Sequence, residues 1–177
     1  MVRRMTLALW AMTAISACTR QIPNKVSADE YALYSAWTTA HFGKSAPEHL
    51  YFYSHTGVFD PLQKACQPAL AKDGVSWALI KQLHALGEAE YPLDFYSPTN
   101  LKIPWSYKEV DIAPDSSKET FHLITFSRVA FNGEHAAALF GFFDACAFGD
   151  CGHGGYIEGR EQNGEWSFRS VGCVTVA

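Results

Sequence analysis

The fold is decided by residues 121–176, which read FHLITFSRVAF, NGEH, AAALFGFF, a loop rich in Cys and Gly, GYIEGRE, QNG and EWSFRSVGCVTV. Runs rich in Phe, Ile, Val and Thr that are separated by Asn-Gly pairs are typical of consecutive antiparallel strands. The pairs Asn132-Gly133 and Asn163-Gly164 tolerate the positive φ that tight hairpin turns require. The pattern therefore predicts four strands, over residues 121–131, 136–144, 154–161 and 165–176.

Two helices are predicted upstream of these strands. The first covers residues 28–42 and begins with a capping box, in which Ser27 and Glu30 satisfy each other's backbone N–H groups. Its aromatic residues recur at helical spacing, which indicates a face that packs on the sheet. The second covers residues 76–86, carries its apolar residues on one side and ends before Gly87.

Short strands near residues 49–56 and 107–112 complete the predicted elements. With the four strands and two helices above, they predict a single domain over residues 27–177. The predicted fold class is α+β, with an antiparallel sheet of about five or six strands and the two main helices packed on one face.

Residues 1–17 have the pattern of a secretory signal peptide. Two arginines precede an apolar segment over residues 5–17, which is too short for a transmembrane helix. The residues Ile-Ser-Ala-Cys at 15–18 resemble a bacterial lipobox, in which the cysteine is lipidated and becomes the first mature residue. Cys18 is therefore the predicted lipid-attachment site, and residues 18–26 form a short tether. The alternative is a secreted protein in which Cys18 has no such role.

The resemblance to a lipobox implies a location and one partner. Thr19, rather than Asp, follows the cysteine, and this resembles outer-membrane sorting in a Gram-negative cell. We expect a protein of the cell envelope that faces the periplasm and is held to the outer membrane by its lipid anchor. Cleavage removes Arg3 and Arg4, which leaves 12 of 14 basic residues against 18 acidic ones, a net charge of −6. Because no basic cluster survives, nucleic acid is not an expected partner.

The remaining cysteines favour disulfides. Four cysteines in an oxidising compartment allow three pairings. The short separation of Cys146 and Cys151 favours a bridge across one loop, which leaves Cys66 to pair with Cys173. A zinc site would need two close Cys/His pairs, and Cys151 with His153 is the single close one. The sequence therefore predicts no metal and no cofactor.

The C-terminal half also carries a family pattern. FSRVAFN at residues 126–132 is followed by an apolar strand, a Gly-rich loop and NGEW at residues 163–166. This arrangement resembles uncharacterised secreted and lipoprotein-type bacterial proteins that share SRVGFN, a Gly-rich loop and NGKW. Here Ala130 replaces the usual Gly, and His153 interrupts the glycines. The resemblance implies no activity and supports the strand and turn predictions alone.

A Pro-rich loop over residues 91–117 is the first candidate binding region. Its aromatic residues include Trp105 and Tyr107, and exposed aromatic side chains can stack on sugars or clamp peptides. This pattern therefore favours an envelope protein or a glycan as the partner. The alternative is that both side chains fold back as a lid on the core.

Arg128, Asp150 and His153 are the remaining candidates. A buried Arg128 needs a partner, which Glu158 or Glu161 could supply, or it could bind a carboxylate or phosphate. Asp150 and His153 lie close in sequence and could support acid–base chemistry or bind one metal ion.

No sequence motif of a known hydrolase or nucleotide-binding site is present. The prediction is a membrane-anchored envelope lipoprotein that acts by binding or as an accessory, without catalysis. The alternatives are a periplasmic module for a small ligand or glycan, and a periplasmic hydrolase.

Overall fold

The structure, a computed structural model, describes residues 25–44, 47, 49–95, 101–111, 113, 121–146 and 152–176. The helices in this part of the chain are α1 (Ala28–Phe42), α2 (Cys66–Lys72) and α3 (Trp77–Leu86). The strands are β1 (Leu50–Tyr53), β2 (Lys108–Val110), β3 (His122–Phe126), β4 (Ala130–Phe131), β5 (Ala137–Cys146), β6 (His153–Gln162) and β7 (Glu165–Val176). Among the described residues, no helix has the length and apolar character needed to cross a membrane.

The described strands form one mixed sheet of seven. Its order is β2-β1-β3-β5-β6-β7, and the short β4 pairs with β5. The predicted α+β class is confirmed, but the predicted antiparallel sheet of five or six strands is wrong. β1 lies parallel to both β2 and β3, because long connections that carry α2, α3 and the Pro-rich loop return the chain to the same end of the sheet. The remaining pairs are antiparallel.

The helices cover both faces of the sheet, so the prediction that the two main helices share one face is also wrong. Leu139 and Phe140 are neighbours on β5, and their side chains therefore point to opposite faces. Phe140 packs in a cluster with Tyr34 and Trp37 of α1. Leu139 packs with residues of α2 and α3. An apolar run such as AAALFGFF has no polar face to turn to water, and both sides of its strand need cover.

The turns in the C-terminal half differ from one another. Asn163 and Gly164 have φ of 57° and 85°, which confirms the predicted tight turn between β6 and β7. The turn between β4 and β5 is longer than predicted, since its residue with positive φ is His135, at 57°, rather than Gly133. Asn132 closes that loop because its side-chain oxygen accepts from the Ala137 N–H at 3.0 Å.

A disulfide between Cys66 and Cys173 joins α2 to β7, as predicted, with Cα atoms 4.9 Å apart. Beside this bridge, α2 and β7 approach each other closely, because a Cβ on Gly172 would lie 2.6 Å from the side chain of Leu70. Cys146 is also disulfide-bonded. Its predicted partner Cys151, like Cys18, lies outside the described residues.

Candidate functional site

Four side chains meet at the end of α1, on the sheet face that α1 covers. The side chain of Asp144, on β5, is 1% exposed, and three histidines surround its carboxylate. His122 holds Nδ1 3.0 Å from both carboxylate oxygens, and His41 holds Nε2 3.6 Å from one of them. The ring of His153 lies beside that of His41, with centroids 5.7 Å apart. We call these four residues the His–Asp cluster.

The strand register brings the cluster together. Asp144 pairs directly with His153 on β6, and His122 lies diagonally across from Asp144 on β3. Diagonal and directly opposite residues on one face of a sheet are close enough for long side chains to touch. His41 arrives from the last turn of α1, about one helical turn after Trp37, and its ring stacks on that of Trp37 at 4.5 Å.

The contact between His122 and Asp144 shifts the pKa of both side chains. The hydrogen bond raises the pKa of the His122 imidazole, against the opposing effect of its partial burial. Burial by itself raises the pKa of the Asp144 carboxyl, but the hydrogen bonds from His122 and His41 outweigh this effect and lower it below its ordinary value. Asp144 is therefore a buried carboxylate that the neighbouring imidazoles keep ionised.

Three members of the cluster could together hold a metal ion. One ligand atom from each of His41, Asp144 and His153 lies within 4.8 Å of the other two. Zn²⁺ with ligands at about 2.1 Å holds tetrahedral ligand atoms about 3.4 Å apart, so binding needs the ligand atoms to close by up to about 1.4 Å. The side chain of His41 is 25% exposed, in contrast to that of Asp144. His122 lies outside this set and orients Asp144, as hydrogen-bond partners of metal ligands do.

Sequence reasoning identified one member of this cluster. His153 was a candidate for acid–base or metal chemistry, whereas its proposed companion Asp150 lies outside the described residues. Asp144, His41 and His122 were missed as site residues. The signal for Asp144 was present, since it follows an apolar run and shares a face with Phe142 by strand alternation. A carboxylate on a core-facing position requires polar partners.

Arg128 is buried, as its place in an apolar run suggests, but the predicted partner is wrong. Its Nε donates to Oε1 of Glu30 at 2.8 Å and its Nη2 donates to Oε2 at 3.1 Å. Glu30 lies in the first turn of α1, where it also completes the predicted capping box with Ser27. The guanidinium stacks over Tyr91, 4.6 Å from the ring centroid. This arrangement is a structural ion pair that fixes the start of α1 to the sheet.

Glu158, one of the two partners predicted for Arg128, lies on the opposite face of the sheet. Its side chain is 3% exposed and contacts two arginines, Arg160 at 3.2 Å and Arg169 at 2.6 Å. Arg169 also donates to the backbone oxygen of Asp73 at the end of α2. The alternation of side chains along β6 explains the difference, because Ile157 rather than Glu158 faces α1.

Trp105 and Tyr107 pack on the core, in the way that the lid alternative describes. Trp105 meets Phe42 edge-on, with centroids 6.0 Å apart. The Tyr107 hydroxyl donates to the backbone oxygen of Phe95 at 2.7 Å, and its ring packs against Phe52. Both side chains are partly buried against the core cluster that contains Tyr34, Trp37 and Phe140.

A second group of polar side chains, Ser54, His55 and Asp111, does not form a catalytic triad. The Ser54 hydroxyl contacts Nδ1 of His55 at 2.9 Å and donates to the Asp111 carboxylate. In a triad the acid holds the histidine, and the histidine holds the serine. Here the acid binds the serine directly, so the proton of the hydroxyl is directed away from the base.

Comparisons of this chain with protein-family models, curated proteins and solved structures find no match.

Proposed function

We propose that this protein binds a divalent transition-metal ion through His41, Asp144 and His153, in a domain that Cys18 anchors to the cell envelope. The observation that carries the proposal is that two imidazole nitrogens and one carboxylate oxygen lie within 4.8 Å of one another, and that the side chain of this carboxylate is 1% exposed. Imidazole nitrogen and carboxylate oxygen form a donor set that suits Zn²⁺ and its neighbours in the first transition row.

The burial of Asp144 is compatible with a metal site. His122 already pairs with this buried carboxylate, and an ion bound by it and by two imidazoles would compensate its charge further. Three protein ligands would leave a fourth tetrahedral position open to a further ligand, in contrast to structural zinc sites, which have four protein ligands. The cluster therefore supports a binding role in which a further molecule reaches the ion.

The location in the proposal comes from the N-terminal sequence. Residues 15–18 carry the order of apolar, small, small and Cys that follows the apolar segment of a lipoprotein signal. A lipid-anchored domain that binds a metal ion agrees with the expected non-enzymatic binding role. Such a domain also agrees with the alternative prediction of a module that binds a small ligand.

The test is a metal titration of the full-length chain, expressed with its own N-terminal segment and purified in mild detergent. After chelation and removal of the chelator, calorimetry with Zn²⁺ is expected to give one site per chain. Replacing a hydrogen-bond partner of a metal ligand costs about 10–100-fold in affinity, and replacing a ligand costs more. We expect His153→Ala to weaken Zn²⁺ binding by more than about 100-fold, and His122→Ala by about 10–100-fold.

The chain offers a matched control in His84. It also pairs with a carboxylate, since its Nδ1 lies 3.0 Å from Asp60, but both side chains are more than 40% exposed. His84→Ala should leave Zn²⁺ binding unchanged. Equal affinities for the wild type, His153→Ala and His84→Ala would refute the site, as would a wild type that binds no Zn²⁺.

A further inference from the structure

A groove of about 260 Å³ opens directly beside the His–Asp cluster. Its walls include two proposed metal ligands, His41 and His153, and otherwise come mainly from apolar side chains of α1 and of strands β5, β6 and β7. The apolar lining residues are Trp37, Ala40, Phe142, Ile157 and Phe168, and Arg169 and Ser170 complete the lining. The guanidinium of Arg169 is paired with Glu158. The groove therefore joins a proposed ion site to an aromatic wall within one space.

The size and lining of the groove suit one planar ring. An apolar cavity of about 150 Å³ holds a benzene molecule, so about 260 Å³ accommodates a ring together with a small polar group. Trp37, Phe142 and Ile157 are nearly buried and form a fixed floor. Phe168 is partly exposed and lies parallel to Trp166, with centroids 6.4 Å apart. A ring in the groove would add one more member to this aromatic surface, in the offset or edge geometry that such rings prefer.

The charge of the proposed metal centre indicates which polar group the bound ring should carry. Metal-bound histidines are neutral and the Asp144 carboxylate is negative, so a divalent ion with its three ligands has a net charge of about +1, to which the neighbouring His122 can only add positive charge. An anionic oxygen donor at the open fourth position would neutralise it. We propose that the groove binds a small aromatic carboxylate, with its carboxylate on the metal ion and its ring against Phe168. This inference rests on the proposed metal site.

The experiment uses the full-length chain in mild detergent, loaded with Co²⁺ in place of Zn²⁺, whose visible absorption reports each change in its ligands. Benzoate and acetate share one head group, and benzyl alcohol has the ring without the charge. We expect benzoate to bind at least about tenfold more tightly than acetate, a difference of about 1.4 kcal/mol. Benzyl alcohol should leave the cobalt bands unchanged.

Variants identify the ring site. Phe168→Ala, and Phe168→Leu as a smaller change to β7, should bind Co²⁺ like the wild type but lose most of the preference for benzoate over acetate. Trp77→Ala is the control, because Trp77 is 45% exposed on α3, at the other face of the sheet. It should keep the full preference.

The two proposals fail in different ways. Cobalt bands that respond equally to benzoate and acetate overturn the ring site and leave the metal site intact. A preference that survives both Phe168 variants overturns the assignment to this groove. A protein that gives no cobalt bands overturns the metal site and, with it, this inference.

Discussion

The buried pair of Glu30 and Arg128 provides a quantitative test of what holds α1 to the sheet. Both side chains are 3% exposed. The Glu30 carboxylate accepts from Arg128 and from two backbone N–H groups, Ser27 at 2.8 Å and Val129 at 3.0 Å. The change Glu30→Gln keeps the shape of the side chain and removes its charge. It removes the Glu30 counter-charge from the guanidinium, which keeps its contacts with the Lys25 carbonyl and the Tyr91 ring.

The magnitude follows from that burial. Removing one partner of a buried ion pair destabilises a protein by about 3–5 kcal/mol, because the remaining charge stays in a poorly solvated site. We therefore expect Glu30→Gln to lower the free energy of unfolding by about 3–5 kcal/mol. With an m-value of about 2 kcal/mol/M in urea, the midpoint of unfolding moves down by about 1.5–2.5 M. Domains are stable by about 5–15 kcal/mol, so the variant should still fold if the wild type is stable by more than about 5 kcal/mol.

The assay is urea unfolding of four proteins: the wild type, Glu30→Gln, Arg128→Met and the double variant. The double variant should lose at least about 2 kcal/mol less than the sum of the single losses, because it leaves no unpaired charge. The control is Asp29→Asn, one residue away, whose exposed contact with His135 should be worth about 1 kcal/mol or less. A loss for Glu30→Gln no greater than that of Asp29→Asn, or single losses that simply add, would refute the reasoning.

Two further predictions concern packing and attachment. Gly141→Ala on β5 should lower the free energy of unfolding by about 1–3 kcal/mol, because the new Cβ would lie 2.5 Å from the ring of Phe59. The control Gly133→Ala, where nothing lies within 4 Å, should change the free energy of unfolding by less than about 0.5 kcal/mol. Equal losses for the two variants in urea unfolding would contradict this prediction. Cys18→Ser should release the protein from the membrane fraction and abolish incorporation of a labelled fatty acid, whereas labelling that persists in the variant would show that the anchor lies elsewhere.

The local elements could be predicted because their signals are local. The capping box of α1, the turn at Asn163 and Gly164, and the strands around them depend on a few adjacent residues. The sheet topology could not be predicted in the same way. The parallel pairing of β1 depends on where a connection of more than fifty residues returns, and the sequence of residues 50–53 carries no mark of its direction.

The candidate site shows the same division. The core-facing position of Asp144 could be inferred from the alternation along one strand, but its partners could not. His41, His122 and His153 come from one helix and two strands that are far apart in sequence. The register of the sheet brings His122 and His153 to Asp144, and the packing of α1 on the sheet brings His41. The partner of Arg128 was mispredicted for this reason as well, since Glu30 lies 98 residues away.

The order of synthesis limits when the bridge between Cys66 and Cys173 can form. The two cysteines are 107 residues apart, and at about 5–20 residues per second the first emerges from the ribosome roughly 5–20 s before the second. During that interval the thiol of Cys66 waits without its native partner, while Cys146 appears earlier than Cys173. The native bridge can therefore form only after the last strand, β7, is available to pair with the helix that carries Cys66.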